Sequence, residues 1–151
     1  MSIKQAVFQL NGEEYGLDIT QVNTIEKDLE IIKADNLPKN IKGKVKIRGN
    51  ELPVYSLRRK FGIPDAEADK NTRYLITNAG DVQIALEVDL VKGIKDFDQS
   101  DIFDVPEVIK SSDTSYLKSI AHSDEGLVLL LDSSMLMSGD EIKALEKSKS
   151  N

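Results

Sequence analysis

Residues 41–62 read IKGKVKIRGNELPVYSLRRKFG, and their pattern predicts two strands, a turn between them and a short helix. Apolar and basic residues alternate from Ile41 to Arg48, as in a strand that packs one face against a core. Ile41, Val45 and Ile47 are predicted to point inward beside Gly43. The residues predicted to line the outer face are all basic: Lys42, Lys44, Lys46 and Arg48.

The residues that follow predict a turn, a return strand and a short helix. Gly49-Asn50 supplies the turn, and the return strand runs through Leu52-Pro53-Val54-Tyr55. Pro53 has no N–H to donate, so this strand is predicted to lie at a sheet edge or at a bulge. Ser56 is a suitable N-cap for a helical turn over Leu57–Phe61.

Short strands and tight turns recur along the rest of the chain. Asn11-Gly12 predicts a two-residue hairpin turn between alternating segments. Asp18 is interpreted as the cap of a short helix that runs through about Ile25. About nine short strands and two or three short helices predict a mainly β fold of small barrels. The polar residues 63–72 are interpreted as a loop that separates two lobes.

Composition limits the kind of protein that this chain can be. It has 151 residues and a formal net charge of −6, which fits one domain or two small lobes that share a core. It contains no Cys, so disulfides and thiolate metal sites are excluded. No apolar run approaches the roughly 20 residues that span a bilayer, and the N-terminus does not resemble a signal peptide. We therefore expect a cytoplasmic protein, and the acidic balance argues against a general nucleic-acid binder.

Few residues have the chemistry that catalysis needs. The single His, His122, lies in a polar strand and turn, where an ordinary surface His is the plainer interpretation and a hydrolase is the alternative. The acidic stretch from Asp96 to Asp101 lacks the central Gly and the final Glu of a calcium loop. No glycine-rich phosphate-binding motif is present. The sequence therefore predicts no enzyme, no cofactor and no metal site.

The basic segment leaves several interpretations open. Positions 39–60 carry eight Lys or Arg against one acid, a net charge of +7. Lysines on an edge strand can simply prevent edge-to-edge aggregation. A small-ligand or nucleic-acid-binding barrel that uses strand 42–48 is an alternative, but stacking on bases would need aromatic rings. This segment offers only Tyr55 and, just beyond it, Phe61.

Arg48 differs from the lysines because it lies next to a tight turn. A planar guanidinium in that place suits a carboxylate or a row of carbonyl groups in a partner. An internal salt bridge to Glu51 or Asp89 is the competing interpretation.

Several short motifs follow one another along the chain. They are Phe8-Gln9-Leu10, Glu13–Ile19, Val22–Ile25, Ile41-Lys42-Gly43, Arg48-Gly49, Pro53-Val54, Leu57-Arg58, Val88-Asp89, Tyr116-Leu117 and Leu127–Asp132. In this order, from about Val7 to Leu145, they resemble the CheW family, chemotaxis coupling proteins that join receptors to a histidine kinase. Any one of these motifs is common, whereas the ordered set over nearly the whole chain is specific.

The resemblance implies two five-stranded SH3-like β-barrels around a shared core, with a few short helices. It implies a single CheW-like domain over residues 1–151, in which the chain crosses back between the lobes near its C-terminus. The implied function is that of a non-enzymatic adaptor in a bacterial two-component signalling array.

Two protein partners follow from this resemblance. They are the regulatory domain of the chemotaxis histidine kinase and the hairpin tip of a methyl-accepting chemotaxis receptor. Neither nucleic acid nor direct membrane insertion is expected. The isolated protein is expected to be a cytoplasmic monomer that joins membrane receptor arrays through its partners.

The resemblance also implies which residues bind. Those implied to face the kinase are Val22, Thr24, Ile25 and Gly43. Those implied to face the receptor are Arg48, Gly49, Leu86 and Val88. Core packing is the structural alternative for Val22, Ile25 and Val88. Four positions depart from the family pattern and indicate a divergent choice of partner: Thr24, Lys46, Ser56 and Glu87.

Overall fold

A computed structural model describes residues 2–79, 81–109, 115–137 and 139–149. Within these ranges the chain forms eleven strands and two α-helices. The strands are β1 (Ser2–Leu10), β2 (Glu13–Asp18), β3 (Val22–Glu26), β4 (Ile41–Ile47), β5 (Asn50–Ser56), β6 (Arg73–Ala79), β7 (Val82–Val88), β8 (Leu90–Asp98), β9 (Ile102–Phe103), β10 (Leu117–Ser123) and β11 (Gly126–Leu131). The helices are α1 (Leu57–Lys60) and α2 (Gly139–Lys149).

The strands form two sheets. One has the order β8-β1-β2-β11-β10-β9, and the other has the order β3-β6-β7-β5-β4. Most neighbouring strands are antiparallel, but β2 pairs with β11 and β5 with β7 in parallel. A parallel pair needs a long connection, and other strands separate both pairs in the chain. The mainly β fold is confirmed, and the two-residue β9 adds a sixth strand to the edge of the first sheet.

The chain changes sheets at positions other than the predicted one. Residues 63–72 connect α1, which follows β5, to β6. Both β5 and β6 belong to the five-stranded sheet. The changes occur between β2 and β3 and between β7 and β8. This corrects the interpretation of residues 63–72 as a separator of lobes. After β11 the chain returns to the five-stranded sheet, where the 3-10 turn Ser133–Met135 contacts β6 and α2 contacts β7. A polar composition predicts an exposed loop, but it does not show which sheet receives the next strand.

One apolar core joins the two sheets. Fully buried side chains from both sheets meet there, among them Phe8, Leu17, Leu75 and Leu86. Each sheet also encloses a smaller core on its other face. That of the five-stranded sheet contains Val45, Leu52, Val54, Tyr74, Ile76 and Ala85, and that of the six-stranded sheet contains Val7, Phe97, Ala121, Val128 and Leu130. Two barrel-like sheets around a shared core are therefore confirmed.

Residues 19–26 form a 3-10 turn and a strand rather than the predicted helix. Asp18 does cap the turn Ile19–Gln21, because its carboxylate accepts a hydrogen bond from the Thr20 N–H at 2.9 Å. The chain then enters β3, which pairs with β6. β-branched residues such as Val22 and Ile25 lose little side-chain freedom in a strand. The cap was predicted correctly, but the pairing with a distant strand decided what followed it.

Pro53 predicted that β5 lies at a sheet edge or at a bulge. Strand β5 lies inside its sheet, between β7 and β4, so the edge alternative is wrong. The parallel ladder with β7 begins at Val54, just after the proline. The ladder with β4 contains a register shift between Ile41 and Gly43. Pro53 is therefore tolerated because it precedes one ladder and lies near an irregularity in the other.

A charged clasp holds the two sheets together where the chain crosses from β7 to β8. The Arg58 guanidinium donates two hydrogen bonds to the Asp89 carboxylate (Nε to Oδ1, 2.9 Å; Nη2 to Oδ2, 2.6 Å). The backbone N–H of Asn11, in the β1–β2 hairpin, donates a third at 2.8 Å. Arg58 and, to a smaller extent, the Asn11 N–H hold the pKa of Asp89 below its ordinary value, although burial opposes them. Asp89 thus ties α1 in one lobe to a hairpin in the other.

We expect Asp89→Asn to lower the free energy of unfolding by about 1–2 kcal/mol, because the charge is lost while the shape is kept. The folded-state pKa is depressed, so the carboxylate stabilises the fold above its unfolded pKa of about 4. That contribution disappears as the pH falls through the folded-state pKa. Urea titrations should therefore show the full difference between the two proteins at neutral pH and a smaller one in acid.

Asp65→Asn is the matched control for this prediction. Asp65 pairs with Arg59, and its side chain is 51% exposed. An exposed pair contributes less than about 1 kcal/mol. Equal losses for Asp65→Asn and Asp89→Asn at neutral pH would contradict a special role for the clasp.

Candidate partner-binding surfaces

Strand β4 has the two faces that the sequence predicted, but one of its lysines is not free. Ile41, Gly43 and Val45 are buried. Lys42 Nζ lies 2.7 Å from Oε1 of Glu87, and the two side chains are only 18% and 10% exposed. Glu87, a departure from the family pattern, therefore has its partner inside this fold. Of the four basic residues predicted to line the outer face, Lys42 is therefore already paired within the fold.

The two aromatic rings near the basic strand are unavailable for stacking on a ligand. Tyr55 is fully buried. Phe61 lies between Tyr15 and Tyr116, with ring centroids 5.3 and 5.0 Å away. A nucleic-acid-binding or ligand-binding barrel that uses strand 42–48 would therefore lack the rings that it needs.

Arg48 and Gly49 form the turn between β4 and β5, one residue earlier than predicted. Their φ angles are +51° and +84°, and positive φ at both central residues is what a type I′ hairpin turn requires. The left-handed conformation costs a non-glycine residue about 1 kcal/mol or more. The Arg48 side chain is 71% exposed, and its Nη2 lies 3.7 Å from Oε2 of Glu26, rather than beside Glu51 or Asp89. The Arg48 guanidinium is therefore accessible from solvent, on a residue that the type I′ turn holds in the left-handed conformation.

Leu86 and Val88 are buried and do not reach the surface. Their exposed fractions are 0% and 1%, and both belong to the shared core. This corrects their assignment to the receptor-facing surface and confirms core packing for Val88. Both faces of β7 are covered by apolar neighbours, and the sequence of a single strand does not show how many of its faces are covered.

Val22, Thr24 and Ile25 lie on β3, at one edge of the five-stranded sheet. Val22 is half-buried and packs against the shared core. The Thr24 hydroxyl is buried, and no hydrogen-bond partner for it occurs among the described residues. Ile25 is 40% exposed. Of the three side chains, Ile25 is therefore the one best placed to contact a partner.

Gly43 lies beneath a segment of its own lobe and not at the surface. A Cβ atom at this position would lie 2.6 Å from Cγ2 of Ile31 and 2.6 Å from the carbonyl oxygen of Ile32. A direct contact between Gly43 and the kinase, which the resemblance implied, is therefore blocked in this conformation.

Some exposed apolar side chains were not marked by any sequence motif. They include Ile32 (51%), Ile94 (54%) and Phe103 (49%). Ile94 and Phe103 lie on β8 and β9, the two edge strands of the six-stranded sheet. The sequence does not distinguish these residues from other apolar strand positions. Which apolar side chains stay exposed to solvent depends on how each sheet curves in the folded protein.

The described ranges give little support for a catalytic site at His122, a metal site or a membrane-spanning helix. His122 packs against the ring of Phe103, with centroids 4.7 Å apart. No group of three or more His, Asp or Glu side chains there is close enough to hold a metal ion. No helix in the described part of the chain combines the length and the apolar character that a membrane span requires.

Comparison with known proteins gives a consistent answer. The family model described as "CheW-like domain" matches residues 5–141. The chain belongs to the CheW-like domain family. It is 30% identical over 140 residues to the chemotaxis protein CheW of Klebsiella aerogenes, covering 93% of this chain and 84% of that protein. It is 27% identical over 134 residues to the chemotaxis protein CheW of Bacillus subtilis, covering 89% and 86%.

A solved CheW structure has a similar fold. The crystal structure of the scaffolding protein TtCheW from Thermoanaerobacter tengcongensis matches with a TM-score of 0.83 and 30% identity, covering 93% of this chain and 96% of that chain. The resemblance and the fold class inferred from the motifs are thus confirmed. The geometry also explains why the CheW motifs Leu57-Arg58 and Val88-Asp89 occur together. Arg58 and Asp89 form the clasp between the lobes, and Leu57 and Val88 are buried in the shared core.

The turn geometry makes a prediction for two neighbouring substitutions. We expect Arg48→Asn to raise the free energy of unfolding by up to about 1 kcal/mol, because Asn-Gly is the preferred type I′ pair. Gly49→Ala should lower it by about 1 kcal/mol, because a side chain is disfavoured at positive φ. No atom lies within 4 Å of the added methyl group, so the loss would come from the backbone. Thermal unfolding checks both changes, and a loss of stability in Arg48→Asn would mean that the guanidinium supports the fold.

Proposed function

We propose that this chain is a non-enzymatic adaptor that couples chemotaxis receptors to the chemotaxis histidine kinase. The observation that carries the proposal is Arg48, an exposed cation that a CheW-like fold keeps in an unfavourable backbone conformation. Membership of the CheW family and the likeness to a scaffolding protein support it. The protein acts in the cytoplasm, at receptor arrays, by holding two partners at fixed positions on one rigid body.

The receptor's hairpin tip binds at Arg48-Gly49. The guanidinium presents a planar set of donors that matches carboxylates and the carbonyl groups at a helix C-terminus. Gly49 is exposed, and the space where its Cβ would lie has no atom within 4 Å. A helix end can therefore approach the backbone of the turn closely.

The kinase's regulatory domain binds at the edge formed by β3. Ile25 supplies exposed apolar area on this strand, and an edge strand carries backbone groups that a partner can pair. Glu26 ends the strand and contacts Arg48 at 3.7 Å. The two binding faces therefore adjoin, and a receptor carboxylate that engages Arg48 competes directly with Glu26.

Calorimetric titrations with the kinase's regulatory domain and with a receptor signalling fragment test the two faces separately. For Arg48→Glu we expect at least about tenfold weaker binding of the receptor fragment, because a charge-assisted hydrogen bond contributes about 1.5–3 kcal/mol. Binding of the kinase domain should remain at micromolar strength or tighter, and the melting temperature should stay close to that of the wild type.

Lys46→Glu provides the matched control for the receptor titration, since it makes the same change of charge two residues away, at an exposed position on β4. It should weaken receptor binding much less than Arg48→Glu. Equal losses in the two variants would mean that net charge alone matters. Failure of the folded wild-type protein to bind the kinase domain would refute the adaptor proposal.

A further inference from the structure

We call residues 29–35 the strap. They close the barrel formed by the five-stranded sheet, between its two edge strands. They lie in the connection from β3 to β4, the two edge strands of the five-stranded sheet. Leu29 and Ile31 are half-buried against the smaller core of that sheet, the one that contains Val45 and Tyr74. Ile32 and Lys44 of β4 exchange two backbone hydrogen bonds, with N···O distances of 2.7 and 2.9 Å.

The strap can lie against β4 only because residue 43 has no side chain. A Cβ there would come within 2.6 Å of the Ile32 carbonyl oxygen and of Cγ2 of Ile31. The side chain of Ile31 can rotate away, but the carbonyl oxygen belongs to the backbone that forms the bridge to Lys44. Any side chain at position 43 therefore displaces the strap.

The chain at the ends of the strap is also specified. Asp28 and Asn36 flank it, and both adopt left-handed conformations with φ angles of +56° and +62°. Asp and Asn are the non-glycine residues that tolerate this region best. The strap is therefore bounded by two sharp changes of chain direction and is fixed by a bridge between them.

The fixed strap presents one apolar side chain to solvent. Ile32 is 51% exposed, and its cross-strand partner Lys44 shares its face of the pairing. Lys46 follows Lys44 on that face, and no carboxylate among the described residues lies within 4.0 Å of either lysine. The strap also continues directly from β3, which carries the exposed Ile25.

We propose that the strap, and not Gly43, contacts the kinase's regulatory domain, and that Gly43 is a positioning residue that leaves room for it. Ile32 enters an apolar patch on that domain, and carboxylates at the rim of the patch face Lys44 and Lys46. This inference rests on the proposed adaptor function and extends the kinase-binding face from β3 along the strap.

Hydrogen exchange and calorimetry on the full chain together test the inference. In Gly43→Ala we expect the amides of Ile32 and Lys44 to exchange at least about tenfold faster, because their mutual bridge opens. The same variant should bind the kinase's regulatory domain at least about tenfold more weakly. Gly139→Ala is the control, since no atom lies within 4 Å of its added methyl group, and it should change neither quantity.

A second variant tests the apolar contact of Ile32 separately from the backbone bridge that holds the strap against β4. Ile32→Ser removes the apolar contact but keeps the backbone bridge, so binding should weaken while both amides stay protected. Combining it with Gly43→Ala should weaken binding no further than the stronger single change, because both act through one contact.

Three results would overturn the inference: unchanged protection in a Gly43→Ala protein that binds weakly, wild-type binding by Ile32→Ser, or additive losses in the double variant. Ile32 is exposed, so its variant remains informative even if Gly43→Ala does not fold. If the wild-type protein fails to bind the kinase domain, the adaptor proposal and the strap's contact role fail together. The exchange measurement would still show whether Gly43 seats the strap.

Discussion

The apolar core between the two sheets holds them together and supports every other contact between the lobes. Phe8 and Leu17 from one sheet and Leu75 and Leu86 from the other are fully buried in it. Burial of each such side chain contributes about 1.5–3 kcal/mol, and this contribution is lost when the two sheets separate. The Arg58–Asp89 clasp lies where the chain crosses between the sheets and fixes their relative position. Both proposed binding faces lie on the five-stranded sheet, which the shared core supports from one side.

Two further sets of contacts make the protein a single body. Phe8, Tyr15, Phe61 and Tyr116 form a row of stacked rings with centroid separations of 5.8, 5.3 and 5.0 Å, and Phe61 brings α1 into a row that begins in the other sheet. Tyr55 donates its hydroxyl hydrogen bond to the Leu136 carbonyl or to Glu141 of α2, each at 3.3 Å. Burial raises the pKa of Tyr55, so the hydroxyl remains a donor. Rigidity of this kind suits an adaptor, whose output is the relative position of its partners.

Features that depend on neighbouring residues could be predicted from the sequence, whereas the path of the chain between the two sheets could not. The alternation in β4 and the Asp18 cap followed from neighbouring residues, and the family followed from the order of short motifs along nearly the whole chain. The helix predicted through Ile25 was wrong, and so was the edge, one of the two alternatives predicted for Pro53, because pairing between distant strands decides both. Leu86 and Val88 were assigned to a surface on the family resemblance, and the sequence of one strand could not correct this because it does not show how many of its faces are covered. The strap could not be predicted because the space above Gly43 exists only after residues 31 and 32 have folded back onto β4.

Native-state hydrogen exchange in increasing denaturant tests most directly whether the shared core makes the two sheets one cooperative unit. We expect the most protected amides of β1 and of β7 to converge on one opening free energy, equal to that of global unfolding. If the amides of the six-stranded sheet opened at a clearly lower free energy than those of the five-stranded sheet, the two lobes would be separately stable. The shared core would then not be the interaction that holds the binding faces in place.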